Sequence, residues 1–177
     1  MRAKKIFEED EMRWIKPSDK AKLHGQFEKA IKNQSIFKIK NCIINGIDIT
    51  IKNDWALYYS IVHGNNKILK LLLYEYKNEN YHLPRGLITS CLQSYYTDDE
   101  TLNLLIDFGA NVSENCNPNL KFIIGDHRKL SQLTILLNDE EFKNCLNKES
   151  RDLIQDAGYN KFLYESKYET KDLSKLR

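Results

Sequence analysis

Glycine and proline are scarce in this chain, which has 7 glycines and 3 prolines among 177 residues. Tightly turned all-β architectures and glycine-rich phosphate loops both need more of these residues. The chain has no run of about 18 apolar residues, which excludes a membrane-spanning helix. Its N-terminus is charged and lacks the apolar core of a signal peptide. These absences predict a soluble, cytoplasmic protein without a membrane association.

Motifs for catalysis and metal binding are missing as well. The four cysteines lie far apart without a Cys-x-x-Cys pair, which predicts core thiols in a reducing compartment. None of the four histidines has a cysteine or carboxylate neighbour at metal-ligand spacing. Nucleophile-elbow, Walker and dinucleotide motifs are also absent. We therefore expect no enzymatic activity, no cofactor and no metal, with a Cys/His or carboxylate site assembled in space as an alternative.

Charge is distributed unevenly along the chain, although the net charge is only +2. Residues 1–40 carry eleven basic and six acidic side chains, whereas residues 97–120 carry five acidic and no basic ones. Such segments are either solvated surfaces or parts of a dipolar molecule that orients a charged partner. A further alternative is nucleic-acid binding through Lys20, Lys22 and Lys29, which the low overall charge disfavours.

A short sequence motif recurs in the chain. Residues 43–50 are matched by residues 105–113, and the glycines of the two copies, Gly46 and Gly109, are 63 residues apart. The leucine-rich segment 68–73 lies between them and supplies a middle copy. The resulting period of about 32 residues is close to that of one class of helical solenoid.

Each copy is predicted to form a pair of short helices. Residues 36–44 are the second helix of the first pair, and residues 55–62 and 67–76 are the middle pair. Leu57 and Ile61 are four residues apart and are expected to be buried together. Their neighbours Trp55, Tyr58 and Val62 are then expected to face partly outward.

Polar residues mark the predicted helix starts. Asn53 or Asp54 is the expected N-cap of the first helix in the middle pair. Thr97 and Glu100 are spaced as a capping box before the next leucine-rich helix, and residues 138–141 repeat this arrangement.

The segment from Asn53 to Leu73 resembles an ankyrin repeat, with a polar start, a first helix, a glycine-containing turn and a second helix of Ile-Leu-Lys-Leu-Leu type. Residues 108–112, Phe-Gly-Ala-Asn-Val, resemble the closing Gly-Ala-Asp-Val of that family. The resemblance covers about residues 20–140 and is strongest to divergent ankyrin proteins of large viruses, phages and intracellular bacteria. The middle copy departs from the family because it lacks the closing glycine.

The resemblance implies an all-α fold, namely a solenoid of about four helical hairpins with helical extensions at both ends. It implies a single domain over residues 1–177. The approximate units are 18–50, 51–80, 81–113 and 114–137, followed by a C-terminal helical cap or tail at 138–177.

The function implied by the resemblance is protein binding without catalysis. The expected partner is a protein of the host, bound and blocked in the host cytoplasm if the source is viral. Aromatic residues are concentrated in the loops and first helices, which line the concave face of an ankyrin solenoid, and Tyr and Trp are frequent in binding hot spots. A homodimer through Phe162, Leu163 and Leu176 is a further possibility. The predicted partner-binding residues are Asn53, Trp55, Tyr58, Tyr81, His82, Arg85, Asn115, Asn117 and Asn119.

Overall fold

The computed structural model describes residues 17–124 and 126–159, and every regular element in these ranges is helical. The prediction of an all-α chain is confirmed for this part of the sequence. The α-helices of these ranges are α1 (Pro17–Lys32), α2 (Ile36–Ile44), α3 (Ile51–Val62), α4 (Asn66–Asn78), α5 (Leu87–Gln93), α6 (Asp99–Asp107), α7 (Cys116–Ile124), α8 (Leu130–Asn138), α9 (Glu140–Cys145) and α10 (Lys148–Asp156), with a short 3-10 helix at His127–Lys129.

The chain divides into two compact units, residues 1–48 and residues 49–177. In the first unit, α1 packs against α2. In the second unit, α3 contacts α4 and α5, and α5 contacts α6 and α7. The second helices also contact one another, α4 with α6 and α6 with α8, while α9 and α10 pack on α7. Successive helical hairpins of the second unit are therefore joined through both of their helices.

Buried residues repeat in the first helices of these hairpins. In α3 the buried residues are 56–57 and 60–61, and in α5 they are 87–88 and 91–92. A spacing of four residues places both pairs on one face of a helix. The residues between the pairs lie on the opposite face, which is where α3 carries its aromatic side chains.

The second helices α2, α4 and α6 are each followed by a residue in the left-handed conformation. Gly46 (φ 75°), Asn80 (φ 54°) and Gly109 (φ 85°) hold this position after α2, α4 and α6. The next N–H then bonds to the carbonyl five residues earlier, as Ala110 does to Leu105 at 2.9 Å. Asn80 replaces the glycine that the middle copy lacks, because asparagine tolerates this region better than most other residues.

Two predicted capping boxes begin one residue too early. The N-cap of α6 is Asp98 and not Thr97, because the Asp98 carboxylate accepts the Thr101 N–H at 2.9 Å. Thr97 instead turns its hydroxyl back to a carbonyl of the preceding turn. In the same way α9 is capped by Asp139, whose carboxylate accepts the Phe142 N–H at 2.9 Å.

A buried lysine holds the turn between α5 and α6. The Lys129 ammonium donates to the carbonyl of Ser94 at 2.8 Å and to that of Cys91 at 3.4 Å. Lys129 is only 7% exposed, and this burial lowers its pKa below the ordinary value. The same turn rests on Gly64, where a Cβ would lie 2.3 Å from the carbonyl oxygen of Tyr96. The turn is thus held by hydrogen bonds from the Lys129 ammonium and by the close packing of its Tyr96 carbonyl against Gly64.

The prediction of four core thiols is wrong for two of them. Cys116 and Cys145 form a disulfide that joins the start of α7 to the end of α9, with their Cα atoms 6.3 Å apart. Their separation of 29 residues gave no indication of this contact, which depends on how α9 packs. Cys42 and Cys91 are free and buried as predicted, and burial raises the pKa of Cys91 to about 12. Its thiol is therefore protonated and unreactive near neutral pH.

Candidate functional site

Two loops of the second unit lie side by side, loop 79–86 after α4 and loop 108–115 after α6. The depression between them, named here the loop groove, has a volume of about 320 Å³. It continues into a second hollow of about 410 Å³ beside the end of α4. Three predicted residues share the groove with residues that were not predicted; its lining includes Tyr81, His82, Leu83, Pro84, Arg85, Phe108, Asn111 and Glu114.

The start of loop 79–86 is anchored to the hydrophobic core through Tyr76. The Tyr76 side chain is 1% exposed, and its ring meets that of Tyr81 edge to face, with centroids 5.7 Å apart. The Tyr81 N–H bonds to the Tyr76 carbonyl at 2.9 Å, and the Tyr76 hydroxyl donates to the Asp54 carboxylate. Tyr81 is consequently held at the surface with 42% of its area exposed.

The end of loop 79–86 is held at one peptide group. The Tyr58 hydroxyl of α3 donates to the Arg85 carbonyl, and the Gly86 N–H donates to the Glu114 carboxylate at 2.7 Å. Burial raises the pKa of Tyr58, and the nearby carboxylates of Asp54 and Glu114 raise it further. Tyr58 therefore stays protonated and keeps its role as a donor over the physiological pH range.

The groove presents aromatic, basic and acidic groups together. His82 and Arg85 are exposed on one wall. On the other wall, Phe108 is half-buried and packs edge-on against Tyr74, with centroids 5.0 Å apart. Glu114 is half-buried at the end of the groove. This combination suits a polypeptide that offers an apolar side chain and charged neighbours.

The predicted residues of α3 lie near the start of that helix. Asn53 is exposed in a left-handed turn, with a φ of 55° there and of 56° at Lys52. This turn replaces the expected cap by Asn53 or Asp54. Trp55 is half-buried and stacks on Tyr59 at 4.9 Å. Tyr58 of this predicted group is hydrogen-bonded to a residue of the loop groove, because its hydroxyl donates to the Arg85 carbonyl.

The predicted burial pattern of α3 is confirmed. Leu57 is 1% and Ile61 0% exposed, whereas Val62 is 43% exposed. Trp55 and Tyr58 are half-buried, as expected for residues that face partly outward.

The three predicted asparagines after loop 108–115 have different surroundings. Asn115 is exposed, with a left-handed φ of 56° just before α7. Asn117 uses both ends of its amide inside the fold, donating to the Cys145 carbonyl at 3.3 Å and accepting the Asn147 N–H at 2.8 Å. Asn117 therefore joins α7 to the turn between α9 and α10.

Asn119 is a wrong prediction for a binding surface. It is fully buried, because α7 places it on the same face as Cys116, Leu120 and Ile123. Its amide nitrogen donates to the Glu114 carbonyl at 3.1 Å, and this bond fixes the end of loop 108–115 to α7. Its role is structural, and it cannot touch a partner in this conformation.

Among the groove residues that the sequence prediction missed, Phe108 and Glu114 make the contacts described above. Phe108 belongs to the recurring motif around Gly109, and Glu114 belongs to the acidic segment 97–120. Both segments were noted for other reasons. Their contribution depends on loop 108–115 lying beside loop 79–86, and no local pattern indicates this pairing.

The described residues lack two features that would indicate another kind of site. Within residues 17–124 and 126–159, no group of three or more His, Cys, Asp or Glu side chains is placed to hold a metal ion. In the same ranges, no helix combines the length and the apolar character needed to cross a bilayer. The predicted dimer residues Phe162, Leu163 and Leu176 lie outside the described part of the chain.

No family model, curated protein or solved structure matches this sequence.

Proposed function

We propose that this chain is a non-enzymatic protein-binding module, an ankyrin-like stack of helical hairpins that holds its partner at the loop groove. The observation that carries the proposal is the groove itself, in which Tyr81, His82 and Arg85 project from a loop fixed at both ends. Contacts between successive first helices and between successive second helices support the stacked arrangement. By the resemblance given above, the partner is a host protein that is bound and blocked.

A rigid loop favours binding because little conformational entropy is lost on association. Ordering one rotamer-rich side chain costs about 0.5–1.5 kcal/mol, and a loose loop adds the cost of its backbone. Loop 79–86 is already ordered by the bonds of Tyr76, Tyr58 and Glu114. The contacts that Tyr81 and Arg85 make with a partner therefore carry no further cost for ordering the backbone of the loop.

The residue types at the groove are those that dominate protein interfaces. Tyr and Arg are enriched among the few residues whose truncation costs about 2 kcal/mol or more. Tyr81 offers a half-exposed ring supported from behind by Tyr76, and Arg85 offers five donors beside it. The carboxylate of Glu114 at the end of the groove favours a partner that carries a basic group there.

Comparative affinity capture tests the proposal. The full chain and its Tyr81→Ala/Arg85→Ala variant serve as baits in extracts of the cells that naturally contain the protein, and captured proteins are quantified by mass spectrometry. Loss of about 2 kcal/mol raises the Kd of a true partner about thirtyfold, which lowers its recovery when the bait concentration is below that Kd. We expect at least one protein to show this loss.

The matched control is Tyr95→Ala/Arg128→Ala. It removes another exposed tyrosine and arginine of the same unit, where the Arg128 guanidinium lies 4.2 Å from the centre of the Tyr95 ring. The partner should be recovered with this control as well as with the wild type. Equal recovery by all three baits, or equal loss with both variants, contradicts binding at the loop groove.

A further inference from the structure

A second open groove lies within the first unit, between α1 and α2. It has a volume of about 310 Å³ and an apolar floor that includes Ala30. Its rim is polar on both sides, with Gln26 and Lys29 from α1 and Lys38 and Asn41 from α2. This α1–α2 groove contains none of the residues used in the proposed function.

The rim of the α1–α2 groove carries two lysine side chains. Lys29 and Lys38 are both exposed, and neither makes an ion pair with a residue in the described part of the chain. The sequence of residues 1–48 contains eleven lysines and arginines and seven carboxylates. Two like charges that face one groove from different helices repel each other, and an anionic ligand between them removes that repulsion.

Amide side chains accompany the two lysines. Gln26, Asn41 and Asn45 line the same groove, and the Asn45 amide nitrogen is oriented by a 2.6 Å bond to the Asn41 carbonyl. A carboxamide offers a donor and an acceptor together, which matches the N–H and C=O of a peptide backbone. The rim therefore provides groups for both the charges and the main chain of an acidic peptide.

We propose that the α1–α2 groove is a separate binding site for an acidic peptide segment of a partner protein. Carboxylates of the segment pair with Lys29 and Lys38, and its backbone bonds to the amides between them. Phe37 and Ile44 are 74% and 77% exposed and flank Asn41 at helical spacing on the outer side of the rim. They provide apolar cover for a large side chain of the same segment.

The distribution of the remaining lysines favours a peptide over a nucleic acid. A phosphate backbone is bound by a continuous basic stripe along one surface. Lys40 lies two residues after Lys38 and so faces about 200° away around α2. The two lysines of α2 therefore lie on different faces of that helix, and a short acidic segment suits the pair Lys29 and Lys38 at the groove.

The test is a titration of the full chain into a fluorescein-labelled dodecapeptide of three Glu-Asp-Leu-Glu repeats, followed by fluorescence anisotropy. The comparison peptide has three Gln-Asn-Leu-Gln repeats. We expect saturable binding of the acidic peptide only, weakened about tenfold or more by Lys29→Glu/Lys38→Glu. The control Lys20→Glu/Lys40→Glu makes the same change in net charge away from the groove and should change the Kd less than about twofold.

Carbodiimide coupling gives a second readout that does not depend on charge-reversal variants. It forms an amide between a peptide carboxylate and a lysine amine that touch, with loss of water. Peptide mapping should find the acidic peptide on Lys29 and Lys38 and not on Lys20 or Lys40.

Four outcomes overturn the proposal. They are absence of acidic-peptide binding, equal weakening by both double variants, coupling spread over all the lysines, and tighter binding of a single-stranded oligonucleotide that the groove variant abolishes. The loop-groove variant Tyr81→Ala/Arg85→Ala should bind the acidic peptide as the wild type does, so failure of one site is distinguishable from failure of the other.

Discussion

Replacement of Gly64 by alanine is the sharpest available test of how the hairpins pack. Gly64 has a φ of 61° in the turn between α3 and α4, and an added Cβ would lie 2.3 Å from the Tyr96 carbonyl oxygen. Gly109→Ala is the matched control in the same unit, because Gly109 has a φ of 85° and no atom within 4 Å of an added Cβ. Both variants carry the backbone penalty, and only Gly64→Ala also carries the clash.

The two contributions can be estimated separately. A left-handed alanine costs about 1–2 kcal/mol, which is the expected effect of Gly109→Ala. At position 64 the Tyr96 carbonyl must also move by about 1 Å to restore ordinary contact, and its turn is tied by the Ser94 hydroxyl to the Val62 carbonyl at 2.8 Å. Forced repacking of this kind costs about 1–3 kcal/mol. We therefore expect Gly64→Ala to lower the free energy of unfolding by about 2–5 kcal/mol.

Urea unfolding followed by circular dichroism measures both variants against the wild type. With an unchanged m-value, the shift in midpoint gives the difference in unfolding free energy directly. Gly64→Ala should be less stable than Gly109→Ala by about 1–3 kcal/mol. If Gly64→Ala is as stable as Gly109→Ala, the close packing of the α3–α4 turn against the turn after α5 is refuted.

Three further predictions concern side-chain bonds. Tyr58→Phe should cost about 1 kcal/mol and speed amide exchange in the loop that it holds, whereas Tyr59→Phe, whose hydroxyl has no hydrogen bond within the described residues, should leave exchange unchanged. Lys129→Met should cost about 1 kcal/mol in urea unfolding at neutral pH. Because burial lowers the pKa of Lys129, the unfolded chain holds its proton more tightly, so this cost should grow as pH rises towards the ordinary lysine pKa of about 10.4; a constant or shrinking cost contradicts the assignment. Without reductant, peptide mapping should find Cys116 linked to Cys145, and Cys145→Ser should cost about 2–4 kcal/mol; alkylation of both thiols under these conditions contradicts the bond.

Much of the helical framework follows from local patterns in the sequence. α2 begins at Ile36 and ends at Ile44 as predicted, since its apolar spacing and the following Gly46 define both limits. The burial of Leu57 and Ile61 followed from their spacing alone. Helix starts were predicted less well, because Thr97 and Asp98 both have side chains that cap helices and only the path of the backbone selects one.

The site was harder to predict because its parts are distant in sequence. Asn119 was predicted to lie on the binding surface, although it shares the buried face of α7 with Leu120 and Ile123. The contribution of Glu114 had no such local sign, since its partner is the Gly86 N–H of another loop. Sequence patterns report the periodicity of one helix, whereas the loop groove depends on which loops become neighbours.

The peptide group between Arg85 and Gly86 shows why the loop groove depends on several hairpins. Its carbonyl is held by the Tyr58 hydroxyl from α3, and its N–H is held by the Glu114 carboxylate from the loop before α7. Hydrogen bonds to the C=O and the N–H of one peptide group polarise each other. The bond from Tyr58 therefore strengthens the bond to Glu114, and the reverse holds as well. Three successive hairpins must therefore be in register before Arg85 takes its place beside Tyr81. We expect that loosening either flanking hairpin opens the groove before the whole unit unfolds, because the bonds of Tyr58 and Glu114 come from those hairpins.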